Sequence, residues 1–364
     1  MTTAFLILVI VHGLIHLLGF VKAFGLSDVK QLTQTISKPF GVIWLLAFIF
    51  FVIAAILFAL NNSYWWFFGF VALVTSQVLI IFFWHDAKFG TVANVIILIV
   101  SIIGFGTWKY YNKYQNDVKT ALQQKEYFRN SELTETDIQH LPEPVKKYLR
   151  YTGSIGKPKV NNFKIEFTGK IRKDEQSEWM PFSCEQYNFM ETPTRLFFMK
   201  ATMKGMPIGG YHCFKNGIAF MDIRLFSLFK VQYQDGAEMN LSETVTFFND
   251  MCVVAPPTLI DKRIKWLEIG NNKVKASFTN NNITVTAWLY FNDKGELINF
   301  ISNDRYAGDT GKQFPWATPL KDYHEINGYK LMGNAETIYS YTDRDLVYGT
   351  FKLIKIKYNG KDND

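Results

Sequence analysis

The densest polar and aromatic group in the chain is Asp304, Arg305, Tyr306, Trp316, Tyr323, His324 and Glu325. A guanidinium offers parallel N–H donors that match the oxygens of a phosphate or carboxylate. Arg305, placed at a strand end, is therefore a candidate to orient a polar head group. Asp304, Tyr306, Trp316 and Tyr323 would share that ligand-binding region, and Phe248 would add an apolar wall. The competing reading is an Asp304–Arg305 pair that only stabilises a loop.

Other residues could do chemistry on paper. Glu243, Asp250 and Asp261 are possible acids, but their spacing equally suits a solvated helix face and a cap. His212 beside Cys213 suggests a nucleophile pair, yet neighbours on a strand point to opposite faces. Cys184, Cys213 and Cys252 form no CxxC, which argues against a disulfide framework or zinc site and for buried free thiols. No GxSxG, HExxH, P-loop or GxGxxG run is present. The sequence favours a binding protein over an enzyme and implies no cofactor or metal.

A second set lies in apolar surroundings. His12, His16, Gln77 and Asn94 sit within long hydrophobic runs, with His85 at the end of one. At about 1.5 Å rise per residue, His16, Gln77 and Asn94 lie roughly 8–11 Å from the same membrane face. Polar groups in hydrocarbon need partners. Interhelical hydrogen bonding answers that need. The sharper alternative is a metal, haem or quinone site using His12, His16 and His85, since an i,i+4 histidine pair can ligate a metal.

The elements that position these residues fall into two unlike parts. Runs at 4–21, 40–60, 64–84 and 89–108 are each long and apolar enough to span a bilayer. Trp65, Trp66, Trp84 and Trp108 mark their ends as an aromatic belt. The loop from Lys22 to Lys38 carries three lysines and the turn at 85–88 one, whereas Met1–Thr3 and the turn at 61–63 carry none. The positive-inside rule makes the lysine loops cytoplasmic and places both termini outside the cytoplasm. Residues 111–132 read as a helical extension and linker, and 133–364 as a β-domain.

In that domain two short helices, opened by Thr134 and Pro144, precede a change to period two at Val160. Ten to twelve short strands with turns such as Asn327-Gly328 argue an antiparallel meander. Ser242–Met251 breaks the period as an amphipathic helix with Val245, Phe248 and Met251 on one side, ended by Pro256-Pro257. A strongly curved sheet wrapped over that helix is the economical arrangement. Adjacent phenylalanines such as Phe197-Phe198 imply strands that are apolar on both faces.

The 364 residues carry a net charge of +7. Lys22, Lys30, Lys38, Lys88, Lys109 and Lys113 against Asp28 and Asp86 put the first 115 residues at +4, leaving +3 for the rest. The basic balance comes largely from lysines flanking apolar runs, so it is not a nucleic-acid footprint.

Leu141-Pro142-Glu143-Pro144-Val145-Lys146-Lys147-Tyr148-Leu149 resembles the opening motif of a bacterial membrane-anchored family of unknown function. The later order of features is similar too: the helix with Ala-Pro-Pro-Thr-Leu-Ile-Asp, Phe291–Leu297, Asn303–Tyr306, Pro315-Trp316, and Tyr323 before Asn327-Gly328. The resemblance covers about 133–358. It implies a lipoprotein-carrier (LolA-like) half-barrel closed by a helix, and a hydrophobic ligand, but no reaction.

These readings combine into a four-span α-helical membrane bundle carrying an α+β domain, an antiparallel, strongly curved sheet over a helix. The expected task is binding an apolar or lipid-like ligand, or a lipidated partner, at the extracytoplasmic membrane surface. A structural or sensory module that binds protein is the alternative, and a hydrolase or membrane redox protein a second one.

Overall fold

A computed structural model describes residues 2–123, 131–308 and 310–361. The part of the expected linker at 124–130 lies outside the described residues. The chain divides into two compact units, Met1–Asn112 and Lys113–Asp364.

The first unit holds α1 (Thr2–Ala23), α2 (Lys38–Ala59), α3 (Trp65–Phe82), the single turn α4 (Trp84–Ala87) and the start of α5 (Gly90–Leu122). Among the described residues, α1, α2, α3 and α5 are long and apolar enough to cross a membrane. Their outward faces are as apolar as their contacts: Ile7, Leu14, Ile56, Ile81 and Val92 are all exposed. A bundle that is apolar all round gains little from hydrophobic burial and must hold together by close packing and hydrogen bonds. Gly19 shows the first device, since a Cβ there would lie 2.2 Å from the Trp44 ring.

The second unit opens with the C-terminal part of α5. The period-two pattern from Val160 gives strands because alternate residues find a core on one side. β1 (Asn162–Ile171), β2 (Met180–Phe189), β3 (Thr194–Met203), β4 (Met206–Lys215), β5 (Ile218–Leu225) and β6 (Phe229–Asp235) form consecutive hairpins. After α7 (Ala237–Val253) and a 3-10 turn (Pro256–Ile260) come β7 (Ile264–Ile269), β8 (Lys273–Asn280), β9 (Ile283–Phe291), β10 (Leu297–Ser302) and β11 (Trp316–Lys321). A small hairpin, β12 (His324–Ile326) and β13 (Tyr329–Leu331), precedes β14 (Asn334–Ser340) and β15 (Asp345–Tyr358).

Thirteen strands make one antiparallel sheet in the order β6-β5-β4-β3-β2-β1-β15-β14-β11-β10-β9-β8-β7. β15 returns the chain to pair with β1, which joins the two meanders. α7 packs against β4–β6 from one half of this order and against β9 and β10 from the other. Phe247, Phe248 and Met251 of α7 are fully buried there, among Phe214, Phe278 and Phe300. Phe197 faces this core, as its register with Gln186 and His212 requires. Phe198 points to the opposite face, where Tyr114 of α5 lies at 5.4 Å between ring centroids. Both faces of β3 are therefore covered from Thr194 to Met199.

Two expectations need adjusting. α7 begins at Ala237, ahead of Ser242, because Gly236 adopts φ 85° and turns the chain out of β6. Pro256-Pro257 opens the 3-10 turn and does not end α7, which stops at Val253. Of the two short helices before the sheet, only α6 (Glu143–Tyr151) is regular. Thr134 and Asp137 exchange capping bonds of 2.8 and 3.3 Å, but the chain then makes turns only up to His140, and the extended backbone of Pro142, at φ −57° and ψ 147°, separates them from α6.

Candidate functional site

The group around Arg305 is built from the β10–β11 connection and the first turns of α7. Arg305 Nε donates to Tyr339 Oη at 3.0 Å, and Nη1 donates to the Ser242 carbonyl at 2.8 Å and to Thr246 Oγ1. The guanidinium lies 4.7 Å from the centre of the Trp316 ring. Tyr339 Oη donates onward to the Tyr306 carbonyl at 2.7 Å, and the Tyr306 amide donates to Ser242 Oγ at 3.1 Å. Trp316 Nε1 donates to Tyr348 Oη at 2.9 Å. Arg305, Tyr306 and Trp316 thus converge, and their visible work is to fasten α7.

The other expected ligand residues lie apart from them. Asp304 turns to β9, accepting from the Thr286 amide at 2.6 Å and hydroxyl at 2.9 Å. Tyr323 donates to the Leu297 carbonyl at 2.8 Å and meets the Tyr151 ring edge-on. Phe248 is wholly enclosed, its ring 5.6 Å from both Phe278 and Phe300.

A buried ionic cluster fastens α7 further along. Gln186 and Asn188 alternate on β2, and Arg195 stands across from Asn188 on β3, so all three share the core face. Glu243 and Asp250, seven apart on α7, present their carboxylates to that face. Arg195 Nη1 reaches Glu243 Oε2 at 3.0 Å and Nε reaches Asp250 Oδ2 at 2.8 Å. Gln186 Nε2 and Asn188 Nδ2 donate to the same Asp250 oxygen at 2.7 and 3.1 Å. Burial pushes Asp250 up, against these donors. Burial also opposes ionisation of Glu243, yet Arg195 and His212 hold its carboxyl down to about 2. Fixed donors hold Glu243 Oε2 and Asp250 Oδ2, which suits a latch better than proton transfer. Glu243 and Asp250 drew notice by their spacing. Arg195 did not, because only the tertiary fold brings β3 beneath α7.

The thiols are equally quiet. Cys184, Cys213 and Cys252 are buried and free. Burial pushes Cys184 up to about 12 and Cys213 up to about 11.

In the helical unit, five polar side chains meet. His12 Nε2 donates to Asn94 Oδ1 at 3.0 Å. Asn94 Nδ2 donates to Ser76 Oγ and Gln77 Oε1, both at 3.0 Å. Ser76 Oγ pairs with His16 Nε2 at 2.9 Å, while His16 Nδ1 donates to the His12 carbonyl at 2.8 Å. Gln77 Nε2 continues to Thr91 Oγ1 at 3.3 Å. Ser76 is the hub, and its short side chain gave no sign of that in the sequence. His85 stands outside this set, its side chain 80 % exposed beside Asp86. Asp86 binds the Thr33 and Gln34 amides at 2.6 and 2.9 Å, joining the two lysine-bearing loops. The Thr33 hydroxyl and Gln34 amide hold its carboxyl well below the usual range.

Space for a ligand lies elsewhere on the sheet. A solvent-open groove of about 430 Å³ crosses β2, β1, β15 and β14. Phe182, Gly169, Phe351 and Ala335 are in register across those strands and form one row. The Phe182 and Phe351 rings meet at 5.2 Å over the glycine, where a Cβ would lie 3.0 Å from the Phe182 ring. Lys170 and Lys352 stand one position along from this row, so they lie on the opposite, solvent-facing side of the sheet, with Lys321 paired there to Glu336 at 3.2 Å. The row packs into the core, and the groove's solvent side, with Thr168, Lys170, Thr350 and Lys352, suits an acidic head group.

No curated protein matches this chain. Among solved structures, it is similar to a LolA superfamily protein from Nitrosomonas europaea, at 8% identity and TM-score 0.35 over 60% of this chain and 95% of that one. A putative outer membrane lipoprotein-sorting protein domain from Vibrio parahaemolyticus matches at 9% identity and TM-score 0.34, over 56% and 88% of the two chains. A DUF1329 family protein from Desulfovibrio piger matches at 11% identity and TM-score 0.34, over 59% and 92%. A family profile matches residues 131–351, more than half of the chain, and the chain therefore belongs to that family of unknown function, DUF6544.

Proposed function

We propose that this protein is a membrane-anchored module whose β-domain, a half-barrel closed by α7, binds an acidic amphiphile or the acylated part of a partner outside the cytoplasm. The groove across β2, β1, β15 and β14 carries this reading, because it gathers Lys170 and Lys352 on the solvent face of a sheet whose other face is packed core. Burial of an acyl chain supplies about 25 cal/mol per Å² of apolar area, and Lys170 and Lys352 select the acidic head. Arg305 and Trp316 contribute indirectly by holding α7 on the sheet. The four apolar helices supply the anchor, and the lysine distribution of their loops supports the orientation.

Photocrosslinking tests the site. A diazirine-bearing fatty acid added to membranes that contain the full chain should give adducts on the peptides of β1, β2 and β15. Adducts confined to α1–α5 would show only the surrounding lipid and would overturn the reading.

A further inference from the structure

The edge of the sheet at β6 is unusual. Exposed edge strands invite pairing and are ordinarily blunted by charge or proline. Here Phe229 is 64 % exposed, Val231 57 % and Tyr233 44 %. The turn that leads into β6 is also costly. Phe226 and Ser227 take φ of 54° and 57°, a left-handed pair that favours Asn-Gly, and a phenylalanine stands there instead. The Phe226 amide donates to the Pro207 carbonyl at 2.8 Å, which ties this tip to the neighbouring β3–β4 hairpin. That second tip reads Met203-Lys204-Gly205-Met206, with Met203 44 % exposed.

The joined tips therefore present Met203, Phe226, Leu228 and Phe229 together with Lys204 and Lys230. The nearest acid on β5, Asp222, is buried and bound to Arg224 at 2.8 Å. An apolar edge with a basic fringe complements the acyl boundary and anionic head groups of a bilayer. We propose that the β3–β4 and β5–β6 tips insert into the head-group layer of an anionic membrane. This rests on the anchor reading above, because a tethered domain meets the membrane at high effective concentration.

The full chain, reconstituted into nanodiscs of phosphatidylcholine with or without phosphatidylglycerol, tests the proposal. Met203→Cys carries an NBD probe at the tip, and Ile218→Cys, at the opposite end of β5, carries the control. The native thiols are buried and stay unlabelled. Emission at 203 should shift to the blue and be quenched by nitroxide lipid on the anionic discs, with 218 unchanged. Lys204→Gln and Lys230→Gln should each weaken the anionic preference about fivefold. Equal responses at both positions, or none at 203 in discs that contain the chain, overturn the proposal. So does a response that disappears at one copy per disc, which would mean that β6 pairs with a second copy. Failure of the chain to enter discs is scored by size exclusion before any fluorescence is read, and it overturns the anchor reading itself.

Discussion

At the scale of single residues, the decisive question is whether each buried polar group has its partners. Arg195 serves two carboxylates, so its removal would leave Glu243 and Asp250 both enclosed and short of their counter-charge. Breaking a buried pair from one side costs about 3–5 kcal/mol. Arg195→Ala should lower the thermal midpoint of the full chain sharply. Triple replacement of Arg195, Glu243 and Asp250 by apolar residues of similar volume should recover much of that loss. A midpoint unchanged by Arg195→Ala would mean that the cluster does not fasten α7.

Asp137 provides the pH-dependent case. The Lys159 ammonium, together with the Thr134 hydroxyl and amide, holds its carboxyl from 3.8 down to about 2. A carboxyl depressed by folding contributes stability that is complete above its unfolded value. That contribution fades as the pH falls through 3.8 towards 2. Acid titration of stability should therefore be shallower in Asp137→Asn than in the parent across that window. Identical slopes would show that the cap is not formed in solution.

Elements differ in how far their own sequence determines them. The four long helices were legible because hydrocarbon dictates apolar length, and that demand is written locally. Strands showed through their period of two, as at Phe163, Ile165 and Phe167. The start of α7 was not legible. Ala237–Leu241 has no apolar stripe, and the helix there depends on Gly236 and on Asn240, whose side chain accepts from the Ala219 amide at 2.7 Å. Ser76 follows the same logic inside the bundle. It touches His16, Asn94 and His12, so three helices depend on one hydroxyl. Ser76→Ala should cost about 0.6–1.7 kcal/mol in the bundle, the range for hydrogen bonds between membrane helices. Chemical denaturation in detergent measures it, and a loss near zero would mean that the bundle is held by close packing alone, of the kind Gly19 of α1 makes with Trp44 of α2.

For the whole molecule, the groove illustrates what a linear reading misses. It exists because β15 returns from the chain's end to pair with β1, and the register then places Phe351 opposite Gly169. Nothing in the local sequence of either strand announces that. The lysine distribution is a different kind of signal, since it acts on insertion before the sheet forms. On the proposed orientation, the loop between α1 and α2 is cytoplasmic and the β-domain lies outside. Cysteine accessibility in intact cells tests this, because the native thiols are buried. An impermeant maleimide should label Ile218→Cys directly, and Ser27→Cys only after the membrane is opened. The reverse pattern would place the β-domain in the cytoplasm, and the groove would then have to draw its amphiphile from the inner leaflet.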